Sequence, residues 1–463
     1  MESAEKLAVV AVFDVGKTNK KLFLFDELYQ VVFERSARFT ETVDEDGDAC
    51  ENLDSLRLSI FDSLREVFAD TRFELKAINF ASYGASLVFI DERGLPLTPL
   101  YNYLKTYPDD LKEEFYQKYG GEELFAVRTA SPVLGSLNSG MQFYRLKREQ
   151  PEVFEKVAYA LHLPQYLSFL LSGKVYSDKT SLGCHTNFWD FAKQRYHPWV
   201  EAEGLLDKMA PVVGSTDVFA ANFPGNNYSV GVGLHDSSAA LIPYLKSFRE
   251  PFILLSTGTW SISMNPFNQS PLTTAELEQD VLCYMQYEGT PVKASRLFSG
   301  YNYEQQLKRI ASHFNVDMIN FRNVSFDPEM GSNICESLLE NKRANWRDLP
   351  FAKRPVSDFM NEMEAYYQLV EDLVVQQYHA TQLVLQESAA KRIFVDGGFS
   401  RNSIFMNLLA IAFADREVYA AHMPQATAIG AALAIHHAWN SRPLPNDIIE
   451  LRLYTPTAQK IKG

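Results

Sequence analysis

The sequence predicts a two-domain α/β protein built from two similar halves, and three observations carry that prediction. The chain has 463 residues, beyond the size at which a single hydrophobic core usually keeps growing. A strand, a glycine turn and a second strand stand near the start, and the same pattern returns near residue 250. Recurrence on that scale points to a duplicated domain rather than a short-period solenoid. In both halves helical periodicity follows the strands, as expected of helices laid over a sheet.

Residues 7–13 form an apolar run that ends in the turn Asp14-Val15-Gly16-Lys17-Thr18-Asn19. Leu22 to Phe25 and Tyr29 to Phe39 follow, and three β runs in quick succession predict an antiparallel meander. Leu53, Leu56, Ile60, Leu64, Val67 and Phe68 recur at helical spacing and predict an amphipathic helix over that sheet. Strands are expected at Ala77 to Ala81 and Leu87 to Ile90, the second closing on Asp91-Glu92-Arg93-Gly94. From 105 to 200 the sequence is mixed and aromatic-rich, without a clear period.

The second half opens with a strand from Phe252 to Leu255, the turn Ser256-Thr257-Gly258-Thr259 and a strand from Trp260 to Met264. A long helix is expected from Ser357 to Glu387, with Phe359, Met363, Tyr366, Val370 and Val374 on one face. Strand Ile393 to Val395 leads into Asp396-Gly397-Gly398-Phe399-Ser400. A helix, a strand from Glu417 to Tyr419 and a helix around Thr427 to Ala432 complete the chain. The domains are placed at 1–243 and 244–463.

A net charge of -14 argues against nucleic acid as a partner, because phosphate backbones demand a basic face. Cys50, Cys184, Cys283 and Cys335 lie far apart, with no zinc spacing, and read as free thiols in a reducing compartment. The apolar run at residues 7–13 is preceded by Glu2 and Glu5, unlike a signal peptide, and no apolar run reaches membrane-spanning length. A cytoplasmic protein with no membrane partner, monomeric or homodimeric, is the expectation.

Two segments suit phosphate and proton chemistry. Glycine lets backbone N–H groups approach an anion, and a neighbouring hydroxyl adds a donor. The loops at Gly16 and Gly258 therefore read as a pair of phosphate cradles, although each alone also reads as an ordinary hairpin turn. Neither is a Walker motif. Asp14 stands where a carboxylate can hold Mg²⁺ through water. In Gly231-Val232-Gly233-Leu234-His235-Asp236-Ser237-Ser238 a strand delivers Asp236 to the start of a helix. There it reads as a helix N-cap or as a general base for a hydroxyl attacking phosphorus, and the two roles are compatible.

The ordered set Asp14-x-Gly16-x-Thr18, Gly233-x-His235-Asp236, Ser256-Thr257-Gly258-Thr259-Trp260 and Gly397-Gly398-x-Ser400-x-Asn402, with Ala428 to Ala432, resembles the FGGY carbohydrate kinases. The resemblance runs essentially end to end and is nearest the deoxyketose kinases, rhamnulokinases first and fuculokinases next. It implies two actin-like, ribonuclease-H-like ATPase domains around a cleft, with ATP and a small sugar as substrates and Mg²⁺ as the metal. By position, Asp236 would be the catalytic base, and Tyr83, Gly84 and His235 would meet the sugar. Gly16, Lys17, Thr18 and Asn19 would form the first phosphate loop, with Asp14 near the metal. Ser256, Thr257, Gly258 and Thr259 would form the second loop, with Gly397, Gly398, Asn402 and Gln305 beside the adenosine. L-rhamnulose is the first acceptor implied, then L-fuculose and xylulose.

The chain departs from the family pattern in four places. Lys17 interrupts a loop that is hydroxyl-rich in many relatives. Ala85-Ser86 lacks the acidic residue expected after Tyr83-Gly84. The stretch Phe298-Ser299-Gly300-Tyr301 lacks a sugar-contacting asparagine, and Met141 replaces a signature lysine. These departures bear on which sugar is bound rather than on phosphoryl transfer. The rival of another class is a non-catalytic actin-like sensor of sugar or nucleotide, and the retained Asp236 argues against it.

Three further features read as structure. Asp44-Glu45-Asp46-Gly47-Asp48 fails the EF-hand spacing and reads as a solvated hairpin tip. His436 and His437 are neighbours on an expected helix, so they diverge and read as a surface pair. Phe188, Trp189, Phe191, Tyr196 and Trp199 read as packing rather than a sugar-stacking face.

Overall fold

The computed structural model describes residues 6–17, 19–37, 41–223, 227–328, 330, 346–386, 388–423 and 425–455. Thr18 and Cys335 lie outside them. Strand Leu7–Val15 is apolar almost throughout, and Val9 to Val12 are buried on both faces, so it takes the centre of a sheet. It pairs antiparallel with Lys20–Phe25, which pairs antiparallel with Val31–Ala37. On its other side Phe73–Ser82 runs parallel to it, and Ser229–Gly231 and Leu234–His235 run parallel to Phe73–Ser82.

The second sheet repeats this order. Phe252–Thr257 pairs antiparallel with Ser261–Asn265, which pairs antiparallel with Pro291–Leu297. Arg392–Gly397 and then Glu417–His422 run parallel on the other side. Val281–Met285 and Glu450–Tyr454 extend the two edges. The expected meander is thus the antiparallel side of a mixed sheet that the chain builds twice. Strand Leu87–Ile90 belongs to neither copy; it pairs with Tyr159–His162 in a separate ribbon.

Helix Leu53–Ala69 starts where the Asn52 side chain accepts from the Ser55 N–H, and it buries Leu53, Leu56, Ile60, Leu64 and Val67 against the first sheet. The long helix of the second half is Glu362–Leu385, shorter at its start than expected. Asn361 caps it by accepting from the N–H groups of Met363 and Glu364, which leaves Phe359 in the preceding loop. The aperiodic middle folds into short helices around an aromatic core. Phe188 and Trp199 are fully buried and stacked with centroids 5.6 Å apart, and Trp189 joins the same core, with Phe191 and Tyr196 packed against it. Met141 lies wholly inside this core, a place that would strand a lysine without water.

The halves are joined by two crossing helices, Asp236–Ser247 and Ala426–Ala434. A Cβ on Gly430 would sit 1.8 Å from the Ala239 carbonyl oxygen, so only glycine permits this approach. Asn79 adds a bond from Nδ2 to the Ala431 carbonyl at 2.8 Å.

Two surface readings are corrected. Asp44 is buried and ion-paired to Lys105 at 2.6 Å, with Asp46 at 2.7 Å and Asp48 at 3.4 Å from the same ammonium. The acidic tip therefore closes on an internal cation. His436 is half-buried, and its Nδ1 lies 2.6 Å from the Tyr29 hydroxyl of the other half, so the two histidines are not a surface pair.

Candidate active site

Ligands of open α/β sheets sit beyond the carboxyl ends of parallel strands, and the strand register decides which residues gather there. Val15 stands opposite Ser82, and Ser82 opposite His235. Three adjacent strand ends thus bring together the Gly16 loop, the Tyr83-Gly84 turn and His235-Asp236, although these lie far apart in sequence. The loop closes through a bond from the Gly16 N–H to the Asn19 carbonyl at 2.9 Å.

Gly84 is fixed by what surrounds it. A Cβ there would lie 2.5 Å from Cys184 Sγ and 3.2 Å from the His235 ring. His235 is buried, and its Nε2 is 3.1 Å from an Asp236 carboxylate oxygen. Asp236 is the first residue of its helix rather than the cap; His235 holds the cap position and makes no capping bond with its side chain. The Asp236 carboxylate instead accepts from the Ser237 N–H at 2.6 Å and the Ser237 hydroxyl at 3.2 Å. About a third of its side chain, 32%, remains open, which leaves room for a substrate hydroxyl.

Burial raises the Asp236 carboxyl to about 6. Asp14 is raised to about 7, mainly by burial and then by the charge of Asp236. A divalent cation at Asp14 would relieve both its desolvation and its repulsion by Asp236. Lys17 is ion-paired within its own half. Its ammonium lies 3.4 Å from Glu41 and 3.8 Å from Glu51, and Lys20 bonds Glu51 at 2.9 Å. Tyr83 is buried beside Tyr103, its hydroxyl held well above its usual range by burial and by Glu51.

In the second half Thr257 stands opposite Gly397, so the Gly258 loop and the Gly397-Gly398 turn share one edge. A Cβ on Gly397 would lie 1.9 Å from the Thr257 carbonyl, and one on Gly300 would lie 1.9 Å from that of Gly258. The Gly398 N–H donates to the Thr257 carbonyl at 2.8 Å and the Phe399 N–H to the Thr257 hydroxyl at 3.0 Å. Beside them opens a cavity of about 450 Å³ lined by Gly258, Thr259, Tyr301, Gly398, Arg401 and Asn402, among others. Asn402 is held by accepting from the Phe405 N–H and donating to the Tyr366 hydroxyl. Ser256, on the adjoining strand, is half-buried and faces Asp396 in register.

Gln305 is exposed and does not line this cavity, whereas Glu304 does. On helix Ser299–Phe314 a step of one residue turns the side chain about 100°. One helix spans both sites: Asp236 starts it, and Tyr244, about 12 Å further along the axis, donates to the Asp396 carboxylate at 3.2 Å.

The model of the FGGY family of carbohydrate kinases, N-terminal domain, matches residues 9–240, and the C-terminal domain model matches 302–439. A second model of the FGGY C-terminal domain matches 249–325. The chain belongs to the FGGY family of carbohydrate kinases. A rhamnulokinase from Halalkalibacterium halodurans is 26% identical over 256 residues, 54% of this chain and 52% of the relative. One from Oceanobacillus iheyensis is 23% identical over 242 residues, 50% of each chain. The chain thus spans about half the length of the curated relatives it matches. Among solved FGGY-type folds, a carbohydrate kinase from Novosphingobium aromaticivorans superposes with a TM-score of 0.78 at 22% identity, covering 98% of this chain and 97% of that one. A xylulose kinase from Lactobacillus acidophilus gives 0.76 at 16% identity, over 97% and 94%. The FGGY fold, two mixed α/β sheets with a cleft between them, is shown.

Several cleft residues were not visible in the sequence. Cys184, Tyr284 and Ser238 touch His235, and Tyr301, Phe321, Arg322 and Arg401 line the second cavity. Tyr284 lies on strand Val281–Met285 and Cys184 in a loop, and neither has a motif around it; Phe321 and Arg322 lie at a short helical turn. Ser238, two residues after Asp236, Arg401, inside the Gly397 to Asn402 motif, and Tyr301, next to Gly300, carried a signal of position.

Proposed function

We propose that this chain is an ATP-dependent sugar kinase that phosphorylates a terminal hydroxyl of a ketose, with L-rhamnulose the first choice of acceptor. The reading is carried by the convergence of Asp14, Gly84 and His235-Asp236 on three adjacent strand ends, joined by one helix to the second glycine-loop cavity. The rhamnulokinase relatives support the choice of sugar, with L-fuculose and xylulose as the alternatives to be assayed beside it.

In this reading the cavity at Gly258 and Asn402 takes the adenosine, and the two glycine loops take the phosphates. Asp236 accepts the proton of the sugar hydroxyl while that oxygen attacks the terminal phosphorus in line. Gly84 leaves room for His235, which faces the sugar. Asp14 would hold Mg²⁺ through water, and the metal when bound would neutralise phosphate charge. Lys17 stays with Glu41 and Glu51.

The test is ADP release, measured by a coupled assay with Mg-ATP across L-rhamnulose, L-fuculose and xylulose. A ketose that raises the rate well above the background hydrolysis of ATP is expected. If none does, while nucleotide or sugar still binds, the chain is the non-catalytic sensor instead.

A further inference from the structure

Two backbone carbonyls determine where the protons sit in the floor of the cleft. A carbonyl can only accept. The Ser238 hydroxyl donates to the Met285 carbonyl at 2.8 Å, which uses its single proton. His235 Nδ1, 3.2 Å from the same hydroxyl oxygen, must therefore be the donor to it. His235 is neutral, pushed down to about 3 by burial, so Nε2 carries a lone pair. On the far side of Cys184, His185 Nδ1 faces the Leu137 carbonyl at 3.1 Å and must also donate. Its Nε2 is likewise a lone pair. The Cys184 thiol lies 3.1 Å from the His235 Nε2 and 3.3 Å from the His185 Nε2, and its one proton serves one of them; given to His185, it leaves the His235 lone pair open toward Asp236.

One consequence falls on Asp236. Its carboxylate oxygen is 3.1 Å from the His235 Nε2 lone pair, and two acceptors at that distance repel unless a proton lies between them. We propose that Ser238 is a positioning residue for the transfer step: by locking His235 in the Nδ1–H tautomer, it leaves a lone pair beside Asp236 to accept a hydrogen bond once that carboxylate has taken up the substrate proton. The sugar O–H bond breaks and its oxygen bonds the terminal phosphorus, while the P–O bond to ADP breaks and leaves its electrons on the ADP oxygen; the new O–H bond forms on Asp236 and points at Nε2. No proton needs to leave the pair. In the opposite tautomer Nε2–H would donate to the carboxylate and stabilise its charged form, which weakens the base. The pinning carbonyl comes from strand Val281–Met285 of the second half, so the tautomer depends on the two halves being docked.

The groups whose charges act on this pair are Asp14, Tyr103, Cys184 and Tyr284 around Asp236, and His162 and His185 around His235. Burial keeps both neighbouring histidines neutral and the thiol and phenols protonated. Between pH 5 and 8 only Asp14 changes charge together with Asp236.

The experiment uses the full chain with ¹⁵N-labelled histidine and compares wild type with Ser238→Ala. Alanine keeps the helix start, and Ser238→Thr, which restores the hydroxyl, serves as rescue. Long-range ¹⁵N–¹H spectra report the tautomer without any turnover, so this readout stands apart from the kinase reading on which the mechanism rests. The expected result is Nδ1–H in wild type and in Ser238→Thr, and Nε2–H gained in Ser238→Ala. With the acceptor ketose, the acidic limb of kcat should fall by about one pH unit in Ser238→Ala, with the KM for ATP unchanged. Nε2–H in wild type overturns the proposal, as does an unmoved tautomer or an unmoved acidic limb in Ser238→Ala.

Discussion

Replacing Asp236 by Asn tests the proposed chemistry with the least damage to the fold. The carboxylate oxygen that accepts from the Ser237 N–H and hydroxyl is matched by the amide oxygen of Asn, so the helix start keeps its local bonds. What is lost is proton acceptance. A positioned general base contributes roughly 10²–10⁴-fold to a rate, equivalent to about 3–5 kcal/mol of transition-state stabilisation. The same change removes the negative charge that helps raise Asp14, so Asp14 becomes more acidic and its affinity for the metal is not weakened by protonation. The loss should therefore appear in kcat, with the KM for ATP close to wild type. The assay is coupled ADP release with Mg-ATP and the best ketose of the panel, beside a thermal melt of both proteins. A variant with an unchanged melt and a kcat within about threefold of wild type, well short of the loss a general base implies, would refute the role of Asp236 as base.

Further outcomes follow from the same geometry. Gly84→Ala places a Cβ 2.5 Å from Cys184 Sγ and crowds His235; kcat/KM for the sugar should drop about 10–100-fold. Adding Cys184→Ala should recover much of that loss, and a double mutant no better than the single would count against steric displacement. Gly430→Ala drives a Cβ into the Ala239 carbonyl, a backbone atom that cannot rotate away. It should destabilise the chain by about 1–3 kcal/mol or more, read as a lowered denaturant midpoint; an unchanged midpoint would show that the crossing helices separate freely. Asp14 binds its proton more tightly folded, at about 7, than its ordinary value of 3.8. The stability it costs is absent below about pH 4, grows as pH rises, and is complete above about pH 7. Without metal, Asp14→Asn should therefore raise Tm at pH 8 and leave it unchanged at pH 4, and an equal gain at both would remove ionisation as the cause.

The repeated strand-glycine-strand pattern, the position of Asp236 after a short strand and the order of the motifs were legible in the sequence. Each is a local signal: apolar period, turn chemistry and spacing are written within ten residues or so. Family resemblance then named the loops at Gly16 and Gly258 and the Gly397-Gly398 turn. Lys17 shows where such reading ends, because the acidic partners of its ammonium, Glu41 and Glu51, stand more than twenty residues away in the chain. Gln305 ends it in another way, since one helical step separates the side chain that lines the cavity, Glu304, from one that does not.

By itself, then, the sequence determined that two similar α/β halves would form, which loops would carry glycine and which carboxylate would open a helix. Only the tertiary structure decided what meets that carboxylate. Strand register set His235 and Asp236 beside Gly84, and a carbonyl from the other half, on Met285, set the proton on His235. Hydrogen bonds between residues so far apart depend on how sheets and helices dock, and no local pattern in the chain encodes that docking.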